Sequence, residues 1–331
     1  MDGQGLGNGP ISEVEVLRGG TQNEMLRFSR SGRPFVLRRG PRQPGPGGER
    51  SLQREVRLLT ALAASEVPHA RLIRACPDGS VLGSSFYLME LVEGFNATIE
   101  LPALHAGDRA VRHQMGMSLV DALVRLGDID YRACGLGSFG RPDGFLERQV
   151  PRWMSELDRY RRQDEYRRSG PLEVGGLAEW LDQRTPRTWT PGIMHGDYHL
   201  ANVLFSRDGA GIAAIVDWEL ATIGDPLLDL GLLLATWPGP GGAADLWRSP
   251  LAAAGGLPSV AEMASRYASA SVRDLSALRW YTVLASFKLG ILLEGTYVRS
   301  LAGQAPRGTG NKLRSLARMV LGQAERLIAA A

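Results

Sequence analysis

The stretch HGDYHLANVLF, residues 195–205, carries the most informative pattern in this chain. It contains an acid at Asp197, an amide five positions later at Asn202, and then the short apolar run of a strand. Asp217 follows a second apolar run at residues 214–216, so a strand, a turn and a second strand would bring it opposite the first acid. The spacing therefore predicts that these three side chains converge on one site.

The three residue types suit phosphoryl transfer from a nucleotide. That reaction needs a base to orient the attacking hydroxyl, and ligands for the magnesium that screens the phosphate charge. Kinase catalytic loops have an aspartate, an asparagine five positions later, and then a strand-terminal aspartate that holds metal. His-Gly-Asp alone would be equally consistent with a capped turn, and only the complete spacing favours the catalytic interpretation.

With this segment the chain resembles the aminoglycoside phosphotransferase and choline kinase family, whose signature is His-Gly-Asp, four residues, Asn, and a strand ending in Asp. The continuation DWELATIGDPLLDLG, residues 217–231, matches that family as well. The resemblance covers nearly the whole chain and is closest to the phosphotransferase domain joined to some acyl-CoA dehydrogenases. The stretch GRPDGFLERQ, residues 140–149, and Trp153 look like that subgroup's linker into its substrate helices.

The resemblance implies roles for the loop residues. Asp197 would be the catalytic base, Asn202 and Asp217 the magnesium ligands, and His195 a catalytic-loop scaffold residue. The implied cofactors are ATP and Mg²⁺, and the implied partner is a small-molecule substrate with a free hydroxyl.

The implied fold class is α+β, with two lobes arranged as in protein kinases. A small antiparallel-sheet lobe at residues 1–93 would bind nucleotide, and a larger, mainly helical lobe at residues 94–331 would carry catalysis and bind substrate. Hydrophobic patterning predicts strands at residues 13–16, 25–29, 34–39, 81–83, 86–89, 193–194 and 214–216, and helices at 51–59, 108–126, 151–168 and 313–330.

Two residues of the first lobe resemble the ion pair of kinases. Arg38 occupies the strand position where kinases keep a phosphate-binding lysine, and Glu55 lies on the next helix, where its partner belongs. Arginine keeps the positive charge but has a bulkier, planar group, so two alternatives stay open: an active enzyme, or a nucleotide-binding module without catalysis. Because the resembled subgroup commonly has arginine here, an active enzyme is favoured.

Four further residues are candidates for nucleotide contact by the same resemblance. Gly20 and Thr21 lie in a turn between strands, where glycine permits close backbone approach to phosphates. Glu90 and Val92 resemble the hinge between lobes, where the Glu90 carbonyl and the Val92 amide would bond the adenine edge.

Composition excludes several other classes. An apolar fraction of 44% and a charged fraction of 22% are those of a folded globular protein. The two lysines, Lys288 and Lys312, do not stand in a Gly-Lys-Ser/Thr context, which excludes a P-loop. Two cysteines cannot build a disulfide framework. No apolar run approaches the roughly 18 residues needed to span a membrane, and the first residues lack the pattern of an export signal, so we expect a cytoplasmic protein without a membrane partner.

Other motifs are set aside. GLGSFG at residues 135–140 matches the dinucleotide fingerprint by letter, but it lacks the required preceding strand and following helix. His195 and His199 would need a helix to bind zinc as a pair. The basic run at 159–168 contains carboxylates and predicts a solvated helix face, with no nucleic-acid partner. Asp225 and Asp229 are expected to cap backbone N–H groups near a helix start.

Charge indicates the class of acceptor. From residue 245 to the end there are five acidic and eleven basic residues, which favours an anionic or neutral substrate over a polycationic antibiotic. With the resemblance, this points to a hydroxy acid or a hydroxyacyl thioester; an aminoglycoside O-phosphotransferase is the alternative, and a protein kinase is disfavoured because no Ala-Pro-Glu segment follows Asp217. The oligomeric state stays open. The candidates for an anion site are Arg159, Arg266, Arg273, Arg279 and Arg299.

Overall fold

The computed structural model of the chain describes residues 1, 5–17, 24–40, 48–77, 79, 81–243 and 248–330. Gly20 and Thr21, the predicted phosphate-contacting turn residues, lie outside the described residues. The described ranges form two lobes, a five-stranded antiparallel sheet with one helix and a larger, mainly helical lobe, as the α+β kinase-like prediction required.

The first lobe is built on a sheet whose spatial order is β1-β2-β3-β5-β4. Cross-strand packing holds its centre, because Phe28 and Phe35 are register partners whose ring centroids lie 5.4 Å apart. One helix, α1, packs beside the sheet and connects β3 to β4. The elements are β1 (Ile11–Leu17), β2 (Glu24–Arg30), β3 (Arg33–Arg39), α1 (Gly48–Leu62), β4 (Leu72–Cys76) and β5 (Phe86–Met89).

The second lobe begins with helices and contains two short two-stranded sheets, which flank the loop at residues 195–202. Its first helices are α2 (Ala103–Gly107), α3 (Arg109–Gly127), α4 (Gln149–Arg161), α5 (Asp164–Arg168) and α6 (Gly175–Gln183). Its strands are β6 (Gly192–Met194), β7 (Val203–Phe205), β8 (Ile212–Ile215) and β9 (Thr222–Gly224), of which β6 pairs with β9 and β7 pairs with β8, both antiparallel.

The C-terminal helices form the core on which those strands rest. They are α7 (Leu227–Ala235), α8 (Pro250–Ala254), α9 (Val260–Ala270), α10 (Leu278–Leu301) and α11 (Arg307–Ala329). Every residue of α7 is buried, as expected for a leucine-rich helix enclosed on all sides, and α10 packs against both α7 and α11. Among the described helices, none combines the length and the apolar character needed to cross a membrane.

Two predicted elements were wrong. Residues 81–83 form a turn, closed by a hydrogen bond from the Gly83 amide to the Gly79 carbonyl, and Val81 is 66% exposed, so this run has no face to bury. The strand that completes the sheet is β4. The helix predicted over 151–168 is interrupted at Arg162 and Gln163, which lets Tyr160 and Tyr166, six residues apart and therefore on different faces of a continuous helix, pack edge to face.

Candidate active site

The loop at residues 195–202 and the end of β8 are joined by backbone hydrogen bonds. β7 starts directly after Asn202, and the β7–β8 hairpin returns the chain so that the Val216 amide donates to the Asn202 carbonyl over 3.0 Å. Asp217 follows at once, in a left-handed conformation with φ 65° and ψ 62°. The hairpin predicted from the spacing therefore places Asp217 beside Asn202.

Asp197 and Asn202 are in direct contact within the loop. The Asn202 Nδ2 donates to the Asp197 carboxylate over 3.0 Å and to the Asp197 carbonyl over 2.9 Å, and His199 Nε2 lies 3.4 Å from the same carboxylate. Burial alone would raise the pKa of Asp197, but the hydrogen bond from His199 and the positive charge of Lys288 outweigh it and lower that pKa to about 2. Asp197 is therefore ionised at neutral pH and can accept a hydrogen bond from a hydroxyl.

Gly196 is required by two features of this loop. Its φ is +84°, and a Cβ at this position would lie 2.4 Å from the Leu220 carbonyl oxygen. The central residue of His-Gly-Asp thus allows the loop to approach the segment after Asp217 closely.

His195 holds the two halves of the site together from inside the lobe. It is fully buried; its Nε2 donates to the Val216 carbonyl over 2.9 Å, and its Nδ1 accepts the Asp197 amide over 3.2 Å. Burial lowers the pKa of His195 to about 4, so the ring is neutral at physiological pH. This contact pattern agrees with a scaffold role and gives the ring no direct path to a substrate proton.

Asp229 is a positioning residue that the sequence interpretation missed. It was expected to accept backbone N–H groups near a helix start, and it does lie in the first turn of the buried helix α7. The N–H groups that its carboxylate accepts, however, belong to the loop: His195 over 2.6 Å and Gly196 over 2.9 Å. Burial raises the pKa of Asp229 to about 6, partly offset by the charge of Lys288. Asp225, by contrast, accepts the Leu227 amide as a helix-start acid does.

Arg38 and Glu55 form a buried ion pair on the sheet side of the site. Arg38 and Tyr87 are register partners on β3 and β5, so both side chains reach the same face and meet Glu55, which lies on the buried face of α1. Arg38 Nε is 2.8 Å from one Glu55 oxygen, and the Tyr87 hydroxyl donates to the same oxygen over 2.9 Å. Burial disfavours the charged guanidinium, but Glu55 outweighs this and raises the pKa of Arg38.

Arg38 also reaches across the cleft to the residues after β8. Its Nη2 donates to Asp217 over 3.2 Å and lies 3.8 Å from the carboxylate of Glu219, a residue the sequence interpretation did not single out. The planar fork of arginine allows this bridge, because one guanidinium can face several carboxylates at once. Arg39, on the other strand face, pairs with Glu24 instead.

The predicted hinge residues follow β5. The Glu90 amide donates to the Arg71 carbonyl over 3.0 Å, while within the described residues neither the Glu90 carbonyl nor the Val92 amide has a backbone partner. These two groups are available as the pair of contacts that a purine edge requires.

Asn202 and Asp217 suit a magnesium ion by their chemistry. The Asn202 amide nitrogen is used by Asp197, which leaves its carbonyl oxygen as an acceptor, and the Asp217 side chain is 41% exposed. Mg²⁺ prefers such oxygen ligands and is commonly held by one or two protein carboxylates together with substrate phosphates. No group of three His, Cys, Asp or Glu side chains suited to a metal occurs among the described residues, so His195 and His199 form no such cluster.

A cavity of about 360 Å³ opens on the other side of Gly196. Two cations line it, Arg152 from α4 and Lys288 from α10, together with Trp153 and several apolar side chains. The five arginines proposed as anion-site candidates do not line it: Arg159 and Arg266, for example, are paired with Glu156 and Asp121. Sequence reasoning missed both lining cations, although Lys288 stands out as a lone cation in an apolar helical run.

A larger cavity, of about 680 Å³, lies elsewhere, between the end of α3 and the start of α10, and none of the loop residues lines it. The rejected fingerprint at 135–140 forms turns that receive a side chain of the first lobe: Arg57 donates to the Gly135 carbonyl over 2.6 Å and to the Ser138 hydroxyl over 3.0 Å. It therefore joins the lobes and does not have the strand-to-helix context of a dinucleotide site.

Comparison with known proteins identifies close likenesses. Residues 13–268 match the model of the phosphotransferase enzyme family. Over 312 residues, 93% of this chain, the sequence is 28% identical to mouse acyl-CoA dehydrogenase family member 10, and the chain spans 28% of that protein's length. Over 96% of the chain it is 27% identical to a probable acyl-CoA dehydrogenase of Arabidopsis thaliana, of which it spans 39%.

Solved structures share the whole architecture. A Ralstonia eutropha protein described as a candidate aminoglycoside phosphotransferase is 28% identical and superposes with a TM-score of 0.78, covering 97% of this chain and 94% of that one. The fold is also that of a thermostable aminoglycoside phosphotransferase variant solved with AMP-PNP and hygromycin B, with a TM-score of 0.63 at 15% identity over 98% of this chain and 96% of that one.

Proposed function

This chain belongs to the phosphotransferase enzyme family and is a kinase-type phosphotransferase of hydroxyl groups; from that premise, we propose that it transfers the γ-phosphate of ATP, with Mg²⁺, to the hydroxyl of a hydroxy acid or a hydroxyacyl thioester. The observation that carries the proposal is the joining of Asp197 and Asn202 to Asp217 by the hairpin, opposite the Arg38–Glu55 pair.

Each residue has a defined task in the proposed reaction. Asp197, ionised at neutral pH, accepts the hydrogen bond of the acceptor hydroxyl and aims its oxygen at the phosphate. Asn202 and Asp217 would hold Mg²⁺, which supplies charge neutralisation of the phosphates when bound. Arg38 offers its guanidinium on the nucleotide side, and the Glu90 carbonyl and Val92 amide would bond the adenine edge. His195 and Asp229 fix the loop without touching the reactants.

The charge of the acceptor-side cavity favours an acid over an aminoglycoside. Arg152 and Lys288 line it, and among the described residues the carboxylate that lines it, Glu156, is paired with Arg159. A polycationic antibiotic would need carboxylates at these positions. The dehydrogenase names of the relatives are compatible with an acyl substrate, and the acceptor itself would be identified by a phosphorylation screen of hydroxylated metabolites read by mass spectrometry.

The proposal is tested by Asp197→Asn. We expect phosphate transfer to fall by roughly a thousandfold, because a neutral amide cannot accept the hydroxyl proton, while Mg·ATP binding measured by calorimetry changes little. Asp182→Asn, on the exposed face of α6, is the control and should transfer normally. Normal transfer by Asp197→Asn would disprove the assigned base, and ATP binding by wild-type protein without any transfer would favour a catalytically inactive module.

A further inference from the structure

We propose that Lys288, Arg152 and the indole N–H of Trp153 form a binding subsite for the carboxylate of the acceptor, so that the enzyme selects free hydroxy acids. The inference rests on the proposed function, because it concerns the acceptor side of the same loop.

Lys288 places a positive charge next to the loop, and its hydrogen bond to the loop uses only one of its N–H groups. It extends from α10, and its ammonium donates to the Gly196 carbonyl, one residue before Asp197. This is its one hydrogen bond among the described residues, and an ammonium has three N–H groups, so two remain for a ligand. Burial lowers the pKa of Lys288, while the charges of Asp197 and Asp229 oppose that shift.

Arg152 supplies a second cation on the same cavity. Within the described part of the chain, its guanidinium has no hydrogen bond and no carboxylate within ion-pair distance, and it lies over the Trp153 ring at 5.1 Å. The nearby Glu156, which could have neutralised it, is held by Arg159. The cavity is therefore cationic.

Trp153 adds an independent observation. Its side chain is 7% exposed and lines the cavity, and its indole nitrogen is buried without a hydrogen-bond partner among the described residues. A buried N–H without a partner is costly, and the cost is removed when a ligand accepts its hydrogen bond. The Lys288 ammonium lies 5.9 Å from the centroid of the same ring, so the two side chains are neighbours.

The apolar walls and the volume of the cavity indicate the chemical class of its ligand. Its remaining walls are mostly hydrocarbon, and its volume of about 360 Å³ suits a small ligand with an apolar body. A carboxylate would occupy the donor end and a hydroxyl would reach Asp197 beyond Gly196. A thioester carbonyl carries no charge, so it could accept a hydrogen bond from these donors but would add no negative charge opposite the two cations. The apolar wall residues are Phe145, Met194, Leu220, Leu228 and Leu292.

The experiment compares free acids with neutral analogues. The probes are hydroxyhexanoates, with the hydroxyl on each carbon in turn, and their methyl esters. For wild-type protein we expect kcat/KM for the best acid to exceed that for its ester by roughly tenfold to a hundredfold, the range for a charge-assisted hydrogen bond in a partly buried site. Lys288→Met and Arg152→Met should each reduce this ratio several-fold or more, and Trp153→Phe, which keeps the ring, by a smaller factor.

Matched controls remove cations elsewhere. Lys312→Met on α11 and Arg162→Met, just beyond the end of α4, alter exposed side chains outside the cavity and should leave the acid-to-ester ratio unchanged. Lys288→Arg should recover part of the preference, because it restores the charge. A purely structural role of Lys288 would lower the rates for acid and ester equally and leave their ratio unchanged.

The outcomes separate this inference from the proposed function. Transfer to esters as fast as to acids, or an acid preference unaffected by Arg152→Met and Trp153→Phe, would overturn the carboxylate subsite while the phosphotransferase proposal stands. Calorimetric binding of an acid that is lost in Arg152→Met, without any phosphate transfer by wild-type protein, would support the subsite and disprove the proposed reaction. Among the described residues, no hydrogen bond or ion pair joins Arg152 or Trp153 to the loop, so their variants decide the matter even if Lys288→Met fails to fold.

Discussion

The two sides of the 195–202 loop each present a buried or partly buried cation, but the two cations differ in how completely they are paired. Arg38, on the sheet side, is 8% exposed and lies within 4 Å of the carboxylates of Glu55, Asp217 and Glu219. Lys288, on the helical side, has no described carboxylate at that distance and donates to one backbone carbonyl. The first cation is saturated by the protein and the second is not.

This difference indicates different tasks. A guanidinium held by three carboxylates from two lobes fixes the positions of α1 and Asp217 relative to each other, so its first contribution is to geometry. An ammonium with unused N–H groups beside a cavity keeps its hydrogen-bonding capacity for a ligand. Removing Arg38 should therefore affect stability and transfer together, whereas removing Lys288 should change mainly the choice of ligand.

The largest effect is expected for Arg38→Met. It leaves the buried Glu55 without its cation, which should lower the free energy of unfolding by about 3–5 kcal/mol and abolish transfer. Chemical denaturation measures the first effect and a nucleotide-dependent transfer assay the second. Arg39→Met, which breaks an ion pair with the half-exposed Glu24, should cost less than about 1 kcal/mol.

A double variant separates stability from function at this position. Arg38→Met with Glu55→Met removes both charges, so we expect the free energy of unfolding to recover towards that of the wild type while transfer stays lost. If the double variant regained transfer, Arg38 would have no role on the nucleotide side and the comparison between the two cations would fail.

An intermediate effect is expected from His195, which links both sides and titrates in an accessible range. The folded pKa of His195, about 4, is below the ordinary histidine pKa of 6.5, so its contribution to stability is present above pH 6.5 and is lost as pH falls towards 4. The loss should reach about 3 kcal/mol, because each pKa unit corresponds to about 1.4 kcal/mol. Denaturation curves of wild type and His195→Gln across this range measure it.

The pH dependence of the difference in unfolding free energy between wild type and His195→Gln can contradict this prediction. Because His195→Gln lacks the titrating ring, the difference in unfolding free energy between the two proteins should shrink as pH falls. A difference that stays constant between pH 6.5 and 4 would show that the ring is not held neutral by burial. Asp229, whose raised pKa of about 6 acts in the opposite sense over an overlapping range, is present in both proteins and cancels to first order.

The smallest effect concerns the attachment of α1 to the helical lobe. Arg57→Met removes hydrogen bonds to Gly135 and Ser138 from an exposed side chain, so the free energy of unfolding should fall by no more than about 1 kcal/mol and the KM for ATP should rise a few-fold at most. Arg50→Met, on the same helix, is the control. A loss of transfer as large as that expected for Arg38→Met would mean that the interlobe contact, and not the ion pair, positions the nucleotide side.

The parts of the site that sequence reasoning could predict are local ones. Asp197 and Asn202 precede the β7–β8 hairpin and Asp217 follows it, so their spacing alone predicts that the hairpin brings the two segments together, as the hydrogen bond from Val216 to Asn202 shows for the backbone. Asp229, Arg152 and Lys288 come from helices that pack against that hairpin, and no spacing rule connects them to it. An acid inside the nine-residue buried run of α7 was a visible signal, because a buried charge requires a partner.

The helices and strands divide in the same way, into those that local pattern predicts and those that tertiary packing decides. The three- and four-residue spacing of Leu52, Glu55, Leu58 and Leu59 predicted both the existence of α1 and its buried face. The strand pattern predicted the existence of β3 but not its burial, because the four consecutive residues 35–38 are all buried and both faces of the strand are covered. The runs at 81–83 and 151–168 were misassigned because tertiary packing, and not local pattern, decides whether a short apolar run is buried or a long amphipathic run is broken. The carboxylate subsite and the acceptor's identity depend on packing in the same way.

Arginine at position 38 has a consequence for chemical detection of this protein. Acyl-phosphate derivatives of ATP mark many kinases by acylating the amine that lies beside the bound phosphates. In this chain β3 presents the guanidinium of Arg38 at that position. The two lysine amines of the chain are Lys288, beyond the loop, and the exposed Lys312. Surveys based on amine acylation would overlook this nucleotide site, and label appearing on Lys288 would instead report a reagent entering from the acceptor side.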